Sequence, residues 1–466
     1  MCYRSVLCTL ICALLPLGAA DIQSAINNAA PGSTVLIPEG VYDDLKLSIS
    51  VSGRADAPIT IQASVPGGAV FSGVSSIEIK GSYIILEGLY FTNGGLAAKR
   101  SPLTVRGSYC RVTSCAVADY NSGSAGKWIT LTAGSVSNRV DHCYFRNKKT
   151  EDPTMQIEVA ADTPNYHRID HNYFAHRPPL GKNGGETIRI GFSSQATFNS
   201  HTVVGENLFE ECDGEIEVIS SKSCENVYLH NTFRNCDGAL TFRHGERCAA
   251  YGNFFIADGK KSSHGIRIIN AGHLVMNNYF ESIRDGAICF TAGQPDAPAT
   301  GYGAVRDVFV AYNTFVNCRG GVFMLHDGLG DNGRTILPSA VVAYNRIDAE
   351  TAAVIGTNES IRFTGNVISG NAAVSSIRDG ITQTVQKLQR SDAIMRPEIA
   401  FPGGEPVWTS SMHAGIDGLD LQCAYDIDGQ KRDGHRDIGC DQISADPILH
   451  RPLTAKDDVG PPWMKR

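Results

Sequence analysis

Asn207-Leu-Phe-Glu-Glu-Cys-Asp-Gly214 is followed, twenty-four residues on, by Asn231-Thr-Phe-Arg-Asn-Cys-Asp-Gly238. The shared Asn-x-Phe start recurs through the chain. Asn172-Tyr-Phe174, Asn253-Phe-Phe255, Asn278-Tyr-Phe280 and Asn313-Thr-Phe315 carry it, and Asn345 and Asn366 continue it with Ile347 and Ile368 in the third place. Leu89-Tyr-Phe91 and Cys143-Tyr-Phe145 are earlier relatives. From Asn172 the intervals are 35, 24, 22, 25, 35, 32 and 21 residues. The short ones define a unit, and the long ones read as the same unit with an inserted loop.

A repeat of this length with no helical periodicity inside it is the signature of a solenoid. Each unit holds short alternating runs, such as Glu215-Ile-Glu-Val-Ile219 and Ala239-Leu-Thr-Phe-Arg243, which suit half-buried strands. Two or three strands rising ~3.3 Å per residue, with turns, fill one unit. The prediction is an all-β fold, a single-stranded right-handed parallel β-helix. Its asparagines stack with their amides bonded along the column, and its phenylalanines stack inside. Asp21 as N-cap, with Ile22, Ala25, Ile26 and Ala29 on one face, predicts a helix covering the N-terminal end. Pro31-Gly32 ends it and Thr34-Val-Leu-Ile-Pro38 opens the first coil. The β-helix domain is placed at 21–385, with 386–466 as C-terminal coils and covering tail of the same domain.

Composition agrees. The 466 residues would allow several domains, but one long solenoid accounts for them. With 42% hydrophobic and 19% charged residues, the chain is neither disordered nor a coiled coil. The 48 glycines follow no G-x-y period, so collagen is excluded and tight turns are favoured. A net charge of −7 gives no support to a nucleic-acid partner. Residues 1–20, with Arg4, an apolar run to Leu17 and small residues Gly18-Ala-Ala20, read as a signal peptide, which predicts a secreted or periplasmic protein. No other apolar run approaches the ~18 residues of a membrane span. Cys212, Cys236 and Cys318 share a local context and are expected to form an interior column; Cys423 and Cys440 in the tail are the expected disulfide.

Chemistry concentrates between residues 181 and 267. In Glu215-Ile216-Glu217-Val218 alternation turns both carboxylates outward, with Ile216 and Val218 inward. Two adjacent carboxylates repel unless a cation lies between them, and a hard cation such as Ca²⁺ suits oxygen ligands. Two solvated glutamates are the plain alternative. Lys222 follows five residues after Glu217. A coil of twenty-four residues places Ala239, Thr241 and Arg243 over Glu215, Glu217 and Ile219, with His244 next and Arg267 outward one coil further. From Lys222 to Arg267 seven basic residues oppose four acidic ones, a local balance of +3 beside the acidic pair. That combination suits an anionic chain lying along the helix.

This arrangement resembles the polysaccharide lyase family that contains alginate lyases and the dermatan-cleaving chondroitinase B. The resemblance rests on Asn183-Gly-Gly-Glu186-Thr-Ile-Arg-Ile-Gly191, on Glu215-x-Glu217 with Lys222, on Arg243-His244, on Arg267, and on Asp458-Val-Gly-Pro-Pro-Trp463. It implies a lyase acting on an acidic polysaccharide by Ca²⁺-assisted β-elimination, with alginate ahead of dermatan sulfate. Asn183, Glu215 and Glu217 are implied as Ca²⁺ ligands, Lys222 as the base, Arg243 as the group that serves the departing oxygen, and His244 and Arg267 as substrate contacts. Glu186 is an extra ligand, although its phase beside inward Ile188 is wrong for a regular outward strand. A hydrolase on the same fold would need close aspartates; Asp43-Asp44 and Asp457-Asp458 lie at the ends instead. A non-catalytic glycan-binding solenoid would have no need of Lys222.

Overall fold

The computed structural model describes residues 19–97, 99–121, 126–349, 351–370, 379–404, 423–432 and 436–465. Nearly all of the expected signal peptide lies outside the described residues. Each coil adds one short strand to each of three parallel sheets. Among the described residues, sheet A has 13 strands from Thr34–Ile37 to Ile361–Thr364. Sheet B has 14, from Gly40–Asp43 to Ile381–Gln383, and sheet C has 12, from Lys46–Ile49 to Val354–Ile355. The predicted all-β parallel β-helix is therefore the fold.

The repeated asparagines mark the corner between sheets A and B. Each of the eight, from Asn172 to Asn366, is fully buried. The Nδ2 amide of Asn172 donates to Asn207 Oδ1 at 2.9 Å, and the same bond runs on through 231, 253, 278, 313 and 345 to 366 at 2.9–3.0 Å. The residue before each asparagine is left-handed, from His171 (φ 54°) to Gly365 (φ 60°), and this turns the chain through the corner. Only Gly252 and Gly365 take that conformation without a Cβ penalty. The asparagine amide then satisfies backbone groups that the bend removes from the sheets. Two residues on, the phenylalanines point inward. Phe145, Phe174, Phe209, Phe233, Phe255, Phe280 and Phe315 form a column with centroids 4.5–5.0 Å apart.

Cys212, Cys236 and Cys318 are buried in the core, as expected, and the Cys212 N–H meets Cys236 Sγ at 3.4 Å. The expected Cys423–Cys440 disulfide is absent. Cys423 packs with Tyr251 and Tyr312, whereas Cys440 packs with Phe254 and Ile427 in a separate cluster. The N-terminal helix spans Ala19–Asn27, so Asp21 lies in its first turn rather than at the N-cap; Ile22 and Ile26 are buried.

After Gln383 the parallel repeat ends in an antiparallel hairpin, Gln389–Ser391 with Ile394–Arg396. The described parts of the tail then return along the flank of the β-helix. Cys440 N–H bonds Thr314 Oγ1, Leu453 N–H bonds Thr232 Oγ1, and Trp463 Nε1 donates to Ser114 O at 2.8 Å. The Trp463 ring ends over Gly67 (φ 77°), where an added Cβ would lie 2.5 Å from the indole. Thr314 and Thr232 lie on strands of sheet B and Ser114 beside it, so these tail contacts fall away from sheet C.

Candidate active site

Four successive strands of sheet C build the site: Ile188–Ile190, Glu217–Ser221, Ala239–Phe242 and Ile266–Ile268. Their register puts Arg189, Ser220, Thr241 and Arg267 in one outward row. Just past the strand ends, Lys222 N–H bonds Ile190 O and Arg243 N–H bonds Ser221 O, so these two side chains leave adjacent coils at the same level.

The register differs from the expected one. Glu217 pairs with Ala239 but Ile219 with Leu240, because a bulge between Glu217 and Ile219 absorbs a residue. Thr241 therefore lies over Ser220, and Arg243 is carried next to Lys222 rather than over Ile219. Ile216, expected inward, is 55% exposed, and Val218 and Ile219 are both buried. The strand begins only at Glu217, so Glu215-Ile216 belong to the preceding turn and escape alternation.

Glu186, Glu215 and Glu217 converge, with one carboxylate oxygen from each lying within 4.8 Å of the others. Glu186 joins because it precedes its strand, in the approach to Ile188, so the phase argument against it does not apply. Gly184 N–H donates to Glu215 Oε2 at 3.0 Å, while Glu215 Oε1 and Glu186 Oε2 are buried without a hydrogen-bond partner. Burial, then the charges of Glu186 and Glu217, push the Glu215 carboxyl up to about 7, and burial raises Glu217 as well. Crowded, desolvated and partly unpartnered oxygens fit a divalent cation. Asn183 lies exposed at the lip, one residue before Gly184.

Lys222 Nζ stands 3.9 Å from Glu186 Oε1. Burial lowers its pKa from the ordinary lysine value, with Arg189 and Arg243 adding to the effect against the pull of Glu186 and Glu217. Arg243 Nε lies 3.8 Å from Glu217 Oε1, and its Nη1 is buried without a hydrogen-bond partner. His244 is 1% exposed; burial, then the Arg243 and Lys222 charges, bring it down to about 3, so the ring is neutral. Arg267 is anchored by Asp327 at 2.8 Å and Thr291 at 3.2 Å.

Three neighbours were missed from sequence. Arg189 donates to Gln156 at 2.7 Å and to Glu186 at 3.4 Å. Its place between inward Ile188 and Ile190 is the signal that could have found it. Tyr302, from the Gly293–Gly303 loop, has the guanidinium groups of both Arg243 and Arg334 over its ring. Buried Arg177 occupies the core position that Cys212 holds one coil later. It bonds Asp152 O and Gly184 O, tying together the loops behind the acidic cluster.

The family model for chondroitinase B matches residues 18–393. The chain belongs to the chondroitinase B family, polysaccharide lyase family 6. This is a family of carbon–oxygen lyases that includes alginate lyases. The family 6 alginate lyase AlyGC superposes with a TM-score of 0.77 at 28% identity, covering 82% of this chain and 54% of that one. The present chain thus spans about half the length of that relative. A structure described as a mannuronic acid specific family 6 lyase from human gut microbiota gives 0.73 at 31% identity, covering 78% and 89%. The family 6 lyase Pedsa3628 from Pseudopedobacter saltans shares the fold, at 0.69 and 23% identity over 85% and 97%. No curated protein sequence matches the chain.

Proposed function

We propose that this chain is a secreted or periplasmic lyase that cleaves a uronic-acid polysaccharide, alginate first, by β-elimination. The observation that carries the reading is the placement of Lys222 beside Arg243 at one level of sheet C, against the Glu186–Glu215–Glu217 cluster. Neutral Lys222 accepts the C5 proton of the uronate, the C4–O bond breaks, and a C4–C5 double bond forms. Arg243 stabilises or protonates the departing 4-oxygen, with its unpartnered Nη1 available to it. Glu186, Glu215 and Glu217, with Asn183 at the lip, would hold a divalent cation, Ca²⁺ by its preference for oxygen, supplying positive charge to the uronate carboxylate.

Arg267, one coil from the Arg243 strand, would meet a neighbouring carboxylate of the polymer. His244 is buried beneath the Gly293–Gly303 loop, in contact with the Gly301 backbone, and would reach substrate only if that loop moved. The test is ultraviolet absorbance of unsaturated uronate product from polymannuronate, polyguluronate and dermatan sulfate, with and without chelator. The mannuronate-specific relative makes polymannuronate the first polymer to try. Absorbance on dermatan sulfate alone would transfer the assignment to that substrate. New reducing ends without absorbance would mean hydrolysis, and neither signal would leave a glycan-binding solenoid.

A further inference from the structure

A second concavity lies on the outer face of sheet C, toward the N-terminal coils. It encloses about 630 Å³, and its cationic wall is Lys46, Lys99, Arg100, Arg106 and Lys127 against Glu78 and Glu158. Glu78 is already engaged, 3.2 Å from Lys80 Nζ and 2.5 Å from Arg106 Nε. Lys46, Lys99, Arg100 and Lys127 have no acidic partner among the described residues. Hydroxyls of Ser76, Thr104 and Thr130 line the floor. Free cations over a hydroxyl-bearing floor suit a ligand that is both anionic and polyhydroxylated.

The trough shares its floor with the catalytic strands. One unbroken outward row runs Glu78, Thr104, Thr130, Gln156, Arg189, Ser220, Thr241, Arg267. Thr130 is three coils from Ser220, about 14 Å at ~4.8 Å per coil. A polymer seated at Lys222 and following this row passes over the trough within a few sugar units. A nucleic acid would meet the same cations, but continuity with the catalytic row favours the polymer that is cleaved.

We propose that this trough is a distal subsite, holding carboxylates of the uronate polymer several units from the bond that breaks. The proposal rests on the lyase reading for the identity of its ligand. The test compares the native chain with the variant Lys46→Ala/Lys99→Ala/Arg100→Ala, whose three side chains are exposed and outside the catalytic cluster. On long alginate the variant's KM should rise roughly tenfold with kcat unchanged, while KM on an alginate trimer stays the same. Equal KM on the long polymer for both proteins overturns the proposal. Should the native chain cleave no uronate polymer, affinity electrophoresis through alginate-loaded gel decides separately. Retardation lost in the variant upholds the subsite; equal migration of the two proteins overturns it.

Discussion

The guanidinium carbon of Arg243 lies 4.4 Å from the centroid of the Tyr302 ring, and Arg334 faces the same ring at 4.7 Å. A loop residue some sixty positions away in sequence thus fixes the arginine that leaves the coil next to that of Lys222. A cation–ring contact of this kind contributes about 1 kcal/mol, enough to select one rotamer. Tyr302→Leu should lower kcat on alginate about five- to tenfold while the melting temperature holds, and Tyr302→Phe should retain activity. Steady-state kinetics with parallel thermal melts check this.

Lys222→Ala should abolish turnover in a protein with native circular dichroism. Lys222→Arg should be equally inactive, because a guanidinium cannot be neutral near pH 8 and so cannot take the C5 proton. Substantial activity in the arginine variant would remove Lys222 as the base.

Three convergent carboxylates repel when no cation lies between them. In chelated protein, Glu215→Gln should raise the melting temperature by relieving that repulsion. The same variant should lose the stabilisation that added Ca²⁺ gives the native chain. Differential scanning fluorimetry with and without Ca²⁺ reads both effects, and a Ca²⁺ shift retained in the variant would count against the cluster.

Buried neutral histidines make the fold acid-sensitive. Burial depresses His167 to about 3 and His273 to about 4. The unfolded chain therefore takes up protons below its ordinary value of about 6.5 while the folded chain does not. The stability these two histidines contribute is full above pH 7 and is lost as the pH drops from 6.5 toward 4, with roughly 3 kcal/mol lost from His273 alone at pH 4. Urea denaturation at pH 8, 6 and 4 should show this slope, and His273→Gln should flatten it.

Interior rungs of the asparagine ladder should matter more than the last. Asn253 accepts from Asn231 and donates to Asn278 and the Tyr228 carbonyl. Asn253→Ala strands several buried polar groups and should cost about 3 kcal/mol or more. Asn366→Ala, at the terminal rung, should cost less. Chemical denaturation of the two variants gives the comparison.

The asparagine corner was legible because one side chain solves the same backbone problem in every coil, so the spacing of asparagines measures the coil. Acidic and basic positions were legible as a set for a related reason: charges crowded on one sheet face demand an opposite partner. Their register was not, since the bulge at Glu217 adds a residue that periodicity cannot register. Glu186 and Ile216 stood where turns meet strands, and there alternation has no authority. Tyr302 could not be placed because its loop conformation is set by partners such as Asn332. The tail was hidden for the same reason, its partners lying as far as 349 positions away in sequence. The Cys423–Cys440 pairing failed because proximity along the chain says nothing about which cluster each sulfur enters.

That distant partnership changes how the molecule is made. A solenoid can in principle close coil by coil behind the ribosome, since each coil needs only its neighbours. Here the carbonyl of Ser114, in one of the earliest coils, waits for an indole at position 463. The first coils made are the last to be finished, and a chain truncated late in translation leaves its oldest part with one flank bare.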